Sequence, residues 1–253
     1  MRRAGGIALA LLLVAAPAAA QDPVASARAL LAAWHQDSAR IDRARSVLEA
    51  ALAADPAPET LVELARVWFL TGDFRARGDG ERVAAYERGS EAARRAIAAA
   101  PRSDGAHLWF AINTGRLAEL RGIMRAAALL SAIREGSEMV LRLNPSNVDG
   151  LILAAGLAAE VPGFMGGDRG RAETLFRRAL EADPHQTAGR LELARLYVAT
   201  RRWSDAQREL QRIVDEPSPT DLPRWTMSDR PRARAMLAEL YERGRVTAPS
   251  QSP

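Results

Sequence analysis

Side chains that commonly carry out catalysis are few in this chain, and their spacing does not build a recognisable active site. The sequence has no cysteine, which excludes a disulfide, a thiolate nucleophile and a cysteine metal ligand. His35, His107 and His185 are far apart, and none has a helical i, i+4 partner or an HExxH context. Acidic residues mostly alternate with arginine, so no isolated carboxylate pair or Ser-His-Asp arrangement stands out. We therefore predict no enzymatic activity, no cofactor and no metal site.

A stripe of polar and aromatic residues is the strongest candidate for binding a ligand. On a helix, the i, i+4, i+7 and i+11 spacing places four residues on one face: Trp109, Asn113, Arg116 and Leu120. In one interpretation this stripe, with Arg121 or Arg125 nearby, lines a cleft where arginine binds an anionic head group and the aromatic ring covers its apolar body. In the other, Trp109 packs against a neighbouring repeat while Asn113 and Arg116 hydrogen-bond the following loop. The sequence favours neither interpretation.

A glycine-rich loop, VPGFMGGD at Val161–Asp168, is the second candidate. Asp168 is expected to cap the helix that begins at Arg169. In the alternative interpretation, Phe164 and Met165 line the mouth of the cleft. No Lys-Ser/Thr pair follows the glycines and no strand precedes them, so the loop does not predict a phosphate site. Gly163, Gly166 and Gly167 are expected to supply the backbone freedom that the turn needs, and Pro162 belongs to the same structural loop.

The elements that would position these residues repeat along the chain. A tetratricopeptide unit has the pattern W-x2-L-G-x2-Y on a first helix, A-x3-F on a second helix and a closing proline. The small residue of the first helix recurs as Ala32, Ala65, Ala111, Ala154 and Ala194. The closing proline recurs as Pro56, Pro101, Pro145, Pro184 and Pro217. These units predict an all-α fold, a tetratricopeptide-like helix-pair solenoid of about five units plus a C-terminal capping helix.

Residues 21–244 are predicted to form a single solenoid domain. Arg230–Gly244 is expected to be the capping helix, after a polar, proline-rich stretch at Ser218–Asp229, and residues 245–253 are expected to form a disordered tail. Units two, three and four carry extra residues between their paired helices, and insertions on one edge of a solenoid usually build its binding surface. These residues lie in Thr71–Tyr86, within Gly115–Arg134 and in Val161–Asp168.

The N-terminal residues are typical of a secretory signal peptide. A basic start at Arg2 and Arg3 precedes a short apolar run and a small-residue cleavage site, which predicts cleavage near Ala20 and Gln21. No later segment has the ~20 uninterrupted apolar residues of a membrane helix, and no lipobox cysteine is present. We predict a soluble periplasmic protein. Two of the +4 formal charges leave with the signal peptide, so the balanced mature chain predicts no nucleic-acid partner.

Two motifs resemble the T-component proteins of tripartite ATP-independent periplasmic (TRAP) transporters, the TatT-like family. They are the helix pair Trp109–Asn113 with Gly115–Gly122, and the loop Pro162–Asp168. The resemblance extends roughly over Pro23 to Leu240. It implies an exported helical-repeat protein with a cleft in each subunit, a homo-trimer with a central pore, and association with a substrate-binding P-component protein. The lipoprotein cysteine of some members is absent here, which separates this chain from them.

Two functions follow from these patterns. The first is a soluble periplasmic accessory protein of a TRAP-type solute-uptake system, which binds a small anionic or amphipathic ligand in its cleft and docks a substrate-binding partner. The second is a general periplasmic scaffold, whose groove receives a partner protein and no small molecule. The lengthened middle units favour the first function, and unmodified units would have favoured the second.

Overall fold

The computed structural model describes residues 22–247, except for the side chains of residues 123–127. The predicted signal peptide and the end of the predicted tail lie outside this range. No strand occurs within it. The helices are α1 (Pro23–Leu31), α2 (Ala39–Ala54), α3 (Pro58–Phe74), α4 (Asp79–Ala99), α5 (Asp104–Arg121), α6 (Ile123–Leu143), α7 (Val148–Glu160), α8 (Arg169–Ala182), α9 (Thr187–Ala199), α10 (Trp203–Val214), α11 (Leu222–Arg224) and α12 (Arg230–Glu242).

Consecutive helices pack as antiparallel pairs and build a solenoid. The pairs are α1 with α2, α3 with α4, α5 with α6, α7 with α8, and α9 with α10. The first helices of successive pairs also contact one another, whereas the second helices contact mainly the first helix of the following pair. First helices therefore lie side by side on the inner surface of the stack, and second helices lie outside. The predicted all-α, tetratricopeptide-like fold is confirmed.

The closing prolines end the second helices as predicted. In four units the residue before the proline leaves the helical region, with φ between −138° and −147°, because proline disfavours a helical predecessor. Its amide still donates to the carbonyl four residues earlier, which completes the last helical turn. These residues are Asp55, Ala100, Asn144 and Asp183.

The repeat register differs from the prediction in two first helices. Ala32 follows the end of α1 and is exposed, and the fully buried small residue of that helix is Ala27. In α7 the fully buried alanine is Ala155, whereas Ala154 is only partly buried. Both regions are rich in alanine, so the sequence pattern fits two neighbouring registers and only packing separates them.

The lengthened middle units have two structural forms. In units two and three the extra residues extend the helices, so that α4 and α6 each have 21 residues. Gly122, with φ of 78°, joins α5 to α6 almost without a loop. In unit four the extra residues form a loop that contains one 3-10 turn at Gly163–Met165.

The C-terminal helix begins earlier than predicted. Helical structure starts at Leu222, where Asp221 caps the turn by accepting from the Arg224 amide, and continues into α12. A π-helical turn at Trp225–Asp229 ends two residues before Pro231. Proline lacks an amide hydrogen and clashes with the carbonyl of the preceding turn, which the widened turn relieves.

Two large hydrophobic clusters form the core. The first is built from α1 to α5 and the second from α7 to α12. Ala111, Ala118 and Ile133 form a small cluster in unit three, against which Leu153 and Leu157 of α7 pack. The solenoid therefore has an N-terminal and a C-terminal region, each with its own core.

Candidate functional site

The predicted α5 stripe is divided between core packing and ion pairing. Asn113 has no exposed surface, and its Nδ2 donates to the carbonyl oxygens of Ala65 (3.2 Å) and Trp109 (2.8 Å). A Cβ on Gly89 would lie 2.3 Å from Asn113 Oδ1, so α4 passes directly over this amide. Asn113 therefore ties α3, α4 and α5 together and does not face an open cleft.

Arg116 lies at the end of a partly buried hydrogen-bonded chain. Its guanidinium donates to Asp73 at 3.2 Å and Glu119 at 2.9 Å, and its Cζ lies 5.6 Å from the centroid of the Phe69 ring. Tyr86 donates its hydroxyl to the other Asp73 oxygen at 2.5 Å. Burial opposes the charged form of Arg116, but Asp73 and Glu119 outweigh it and raise the pKa of the guanidinium.

The other predicted ligand-binding residues do not gather around this stripe. The Trp109 ring is partly buried, 5.5 Å from that of Phe69, and Leu120 is partly buried against the N-terminal core. Arg121 forms an ion pair with Glu87. The side chain of Arg125 lies outside the described residues. A ligand-binding role for these residues stays a prediction.

The glycine-rich loop is held in one conformation by backbone hydrogen bonds. Asp168 accepts from the Arg171 amide at 3.0 Å and so caps α8 as predicted. Gly167 has no room for a side chain, since a Cβ there would lie 1.6 Å from the Val161 carbonyl oxygen. Gly166 has φ of 95°. The loop contacts α6, because Arg134 donates to the Met165 carbonyl at 2.8 Å.

Phe164 projects from this loop with 91% of its surface accessible, which makes it the most exposed large apolar side chain among those that the structure describes. Met165 beside it is partly buried. Their proposed position at a cleft mouth is not tested by this arrangement.

The inner surface carries charged residues from successive first helices and the cap. Asp149 of α7 is exposed, yet helices on several sides limit its hydration, which raises the pKa of its carboxyl. Arg224 of α11 and Arg66 of α3 oppose this increase, so both are close enough to act on Asp149. Contacts between successive first helices, from α3 to α9 and on to the Trp225–Asp229 turn, place these side chains along one continuous surface.

A row of carboxylates crosses the same surface, one from each of three successive first helices. It consists of Glu119 on α5, Glu160 on α7 and Glu192 on α9. Limited hydration raises the pKa of Glu160, and the negative charges of Glu192 and Glu119 raise it further. Arg116 and Arg195 partly offset this repulsion. No group of three His, Asp or Glu residues within the described range is arranged to hold a metal ion.

A groove on the outer side of unit two was not predicted. It has a volume of about 420 Å³ and lies between α2, the end of α3 and the start of α4, with the nearly buried ring of Trp68 in its wall. Arg45 and Arg88 each place Cζ 4.9 Å from the centroid of that ring. We call it the Trp68 groove, and its lining residues are Asp42, Arg45, Trp68, Thr71, Arg75, Ala76, Arg77, Glu81, Ala84, Ala85 and Arg88.

The sequence did contain a signal for this groove. Trp68 occupies the tyrosine position of its repeat, Arg45 directly follows the small residue of the second helix of unit one, and Arg88 directly precedes that of unit two. Superposing the repeats would have placed these three residues together. Helical spacing within one segment could not, because the groove needs three helices.

Within residues 22–247, none of the helices combines the length and apolar character needed to cross a membrane. No curated protein sequence matches the chain. Among solved structures, TTC0263, a thermophilic tetratricopeptide-repeat protein of Thermus thermophilus, is 20% identical over 84% of this chain and 97% of its own, with a TM-score of 0.62. That similarity agrees with the helix pairing seen here.

Two further solved structures are more distant. Human IFIT1, as a dimer with PPP-AAAA, is 17% identical over 80% of this chain and 51% of its own, with a TM-score of 0.49. Pseudomonas aeruginosa pilF is 15% identical over 87% of this chain and 92% of its own, with a TM-score of 0.47.

Two family matches divide the chain. Residues 164–226 match a tetratricopeptide-repeat family. Residues 25–153, just over half of the chain, match the family described as regulator of microtubule dynamics protein 1-3. The chain therefore belongs to the regulator of microtubule dynamics protein 1-3 family and has a tetratricopeptide-repeat fold.

Proposed function

We propose that this protein is an exported scaffold that binds a segment of a partner protein along its inner surface. The observation that carries the proposal is the set of charged side chains that successive first helices present to one concave space, from Arg66 through Asp149 to Glu192. A surface that repeats every helix pair suits an extended or helical polypeptide, whose side chains also repeat.

The charges on the inner surface indicate which side chains the bound segment should have. Asp149, Glu160 and Glu192 come from two adjacent first helices, and limited hydration at Asp149 and Glu160 makes the charged form of each costly. A basic side chain placed near Asp149, or near Glu160 and Glu192, would stabilise the charged form of these carboxylates. We therefore expect the bound segment to contain Arg or Lys residues that alternate with apolar ones.

The first test begins with partner identification by proximity labelling in the producing cell and continues with binding measurements on the purified pair. Glu192→Arg and Asp149→Arg reverse charges on the inner surface. Glu181→Arg makes the same change on the outer helix α8, where Glu181 is exposed. The inner variants are expected to raise Kd about ten-fold while the outer variant leaves it unchanged.

If all three variants bound the partner with the Kd of the wild-type protein, the assignment of the inner surface as the binding surface would be contradicted. Loss of binding only with Glu181→Arg would place the partner on the outer helices instead. Circular dichroism of each variant provides the control for folding.

A narrower function, accessory protein of a TRAP-type uptake system, rests on the motif resemblance. It would add a P-component partner, a homo-trimer and a small anionic or amphipathic ligand. Native mass spectrometry of the mature protein tests these features together. A retained small molecule in a trimer would favour the narrower function, whereas an empty monomer that still binds its protein partner would favour the scaffold.

The family description adds the regulation of microtubule dynamics. This activity belongs to the proteins after which the family is named. For the present chain we propose the more general activity, binding of a protein partner, because the N-terminal sequence predicts export.

A further inference from the structure

The Trp68 groove has more positive charge than its own carboxylates neutralise. Four arginines and two carboxylates line it. Asp42 accepts from Arg75 at 2.8 Å and 3.0 Å and pairs with Arg45 at 3.3 Å, so one carboxylate serves two of the four arginines. Glu81 accepts from the backbone amide of Arg77. The side chains of Arg77 and Arg88 have no carboxylate partner among the described residues, and both residues are exposed.

The aromatic wall keeps two of these guanidinium groups in place. Trp68 is only 7% exposed and belongs to the N-terminal core, so its ring is fixed. The stacking distances of Arg45 and Arg88 are within the range of a cation–π contact. A stacked guanidinium keeps its N–H groups free at the ring edge, where they can donate to a carboxylate in a bidentate manner. The groove therefore has donors that are ordered before any ligand arrives.

Unit five has an aromatic residue at the position of Trp68, and the arginine that packs on it is neutralised by carboxylates. Tyr197 stands where Trp68 stands, and Arg202 places Cζ 4.3 Å from its ring centroid. There Arg202 pairs with Glu173 at 2.6 Å and Asp205 at 2.7 Å. Packing of arginine on an aromatic ring is thus compatible with full charge pairing in this fold, and the unpaired charge in unit two is a distinct property of that site.

We propose that the Trp68 groove binds an acidic segment of a partner protein, with side-chain carboxylates paired to Arg77 and Arg88. This inference rests on the proposed function, since it gives the scaffold a second docking surface on its outer side. Arginine stays charged at any physiological pH, so the affinity for an acidic segment should not depend on the charge state of the groove. Because salt screens exposed charges, the affinity should fall as the ionic strength rises. A groove of about 420 Å³ accommodates a few residues of peptide.

The test uses the mature full-length protein and a fluorescein-labelled hexaglutamate peptide, with binding followed by fluorescence anisotropy at low and physiological salt. Arg88→Asp and Arg77→Asp each reverse a charge in the groove. Arg234→Asp makes the same change on α12, where Arg234 is exposed and has no ion-pair partner among the described residues. Each groove variant is expected to weaken peptide binding about ten-fold, and Arg234→Asp less than about two-fold.

A conservative variant separates stacking from charge alone. Arg88→Lys retains the charge but loses the planar donor fork, so we expect an intermediate loss of affinity. Circular dichroism of each variant is the control for folding, which exposed substitutions should leave intact.

Several outcomes would overturn the proposal. Wild-type protein that fails to bind the peptide at low salt, or groove variants that bind as tightly as wild type, would show that the arginines are ordinary solvated residues. Inhibition by inorganic phosphate at lower concentration than by free glutamate would assign the groove to phosphate. A single-stranded oligonucleotide that binds more tightly and is lost with Arg88→Asp would assign it to nucleic acid.

Failure of this inference is distinguishable from failure of the proposed function. Glu192→Arg lies on the inner surface and should leave hexaglutamate binding unimpaired. A partner that depends on Glu192 but not on Arg88 would support the scaffold and reject the acidic second contact.

Discussion

Units two and five place different residues at the same repeat positions, and the differences form a consistent pattern. Arg45 and Glu173 both directly follow the small residue that begins a second-helix motif, and Arg88 and Asp205 both directly precede one. Around Trp68 these positions are arginines, whereas around Tyr197 they are carboxylates that pair with Arg202. One side-chain contact is the same in both units, since the hydroxyls of Thr71 and Thr200 each donate to the carbonyl four residues earlier.

Two core positions also differ between units two and five, and again only unit five has a paired charge there. Four residues before the small residue of the first helix, unit two has Leu61 and unit five has Arg190. Arg190 pairs with Glu209 at 2.7 Å, both side chains are nearly buried, and the position equivalent to Glu209 in unit two is Ala92. The C-terminal unit is therefore held together by internally paired charges. The N-terminal unit has apolar residues at these two positions, Leu61 and Ala92, and leaves arginines unpaired at its surface, which makes it the better candidate for an electrostatic contact with a partner.

The buried ion pair of unit five provides the largest expected effect. Glu209→Ala leaves Arg190 buried without its carboxylate, which should lower the free energy of unfolding by about 3–5 kcal/mol. The double variant Arg190→Leu with Glu209→Ala copies unit two and should recover most of this loss. Urea unfolding followed by circular dichroism measures both. A double variant no more stable than Glu209→Ala would mean that the two units do not share one packing arrangement.

The next largest effect on stability is expected from Arg116, in the N-terminal region. Arg116→Ala removes the partner of Asp73 and leaves that carboxylate with Tyr86 alone, so the free energy of unfolding should fall by about 1–3 kcal/mol. Arg121→Ala, which breaks the more exposed pair with Glu87, is the control and should cost less than about 1 kcal/mol. An Arg116→Ala variant as stable as wild type would leave Arg116 free to serve a ligand.

The fold could be predicted from the sequence because its signals are local and repeat five times. A closing proline forces its predecessor out of the helix whatever surrounds it, as Asp55 and Asn144 show. The α5 stripe was harder to interpret. Spacing places Asn113 and Arg116 on one face, but which helices cover that face depends on α3 and α4, and these cover Asn113 completely.

Acid sensitivity sharpens the contrast between the two regions. Burial opposes the charged form of Glu173, but hydrogen bonds from Arg177, Arg202 and Tyr197 outweigh it and lower the pKa of this carboxyl. A carboxyl with a lowered pKa in the folded state stabilises the protein above its unfolded-state pKa of 4.5, and this stability is lost as the pH falls through the folded-state value. Glu173→Gln should therefore reduce the loss of unfolding free energy on acidification, measured by urea unfolding between neutral and acidic pH. If Glu173→Gln did not change how the free energy of unfolding depends on pH, the ion pairs and hydrogen bonds of Glu173 would not contribute to stability.

The smallest expected effect on stability is at Arg88. Arg88→Asp introduces into unit two the residue that unit five has at this position. Arg88 is exposed and has no carboxylate partner among the described residues, so Arg88→Asp removes only its exposed cation–π contact with Trp68, and the free energy of unfolding should fall by no more than about 1 kcal/mol. The same change is expected to weaken binding of an acidic peptide about ten-fold. A large loss of stability without an effect on peptide binding would reverse this assignment, because Arg88 would then support the fold in the way that Arg202 does around Tyr197.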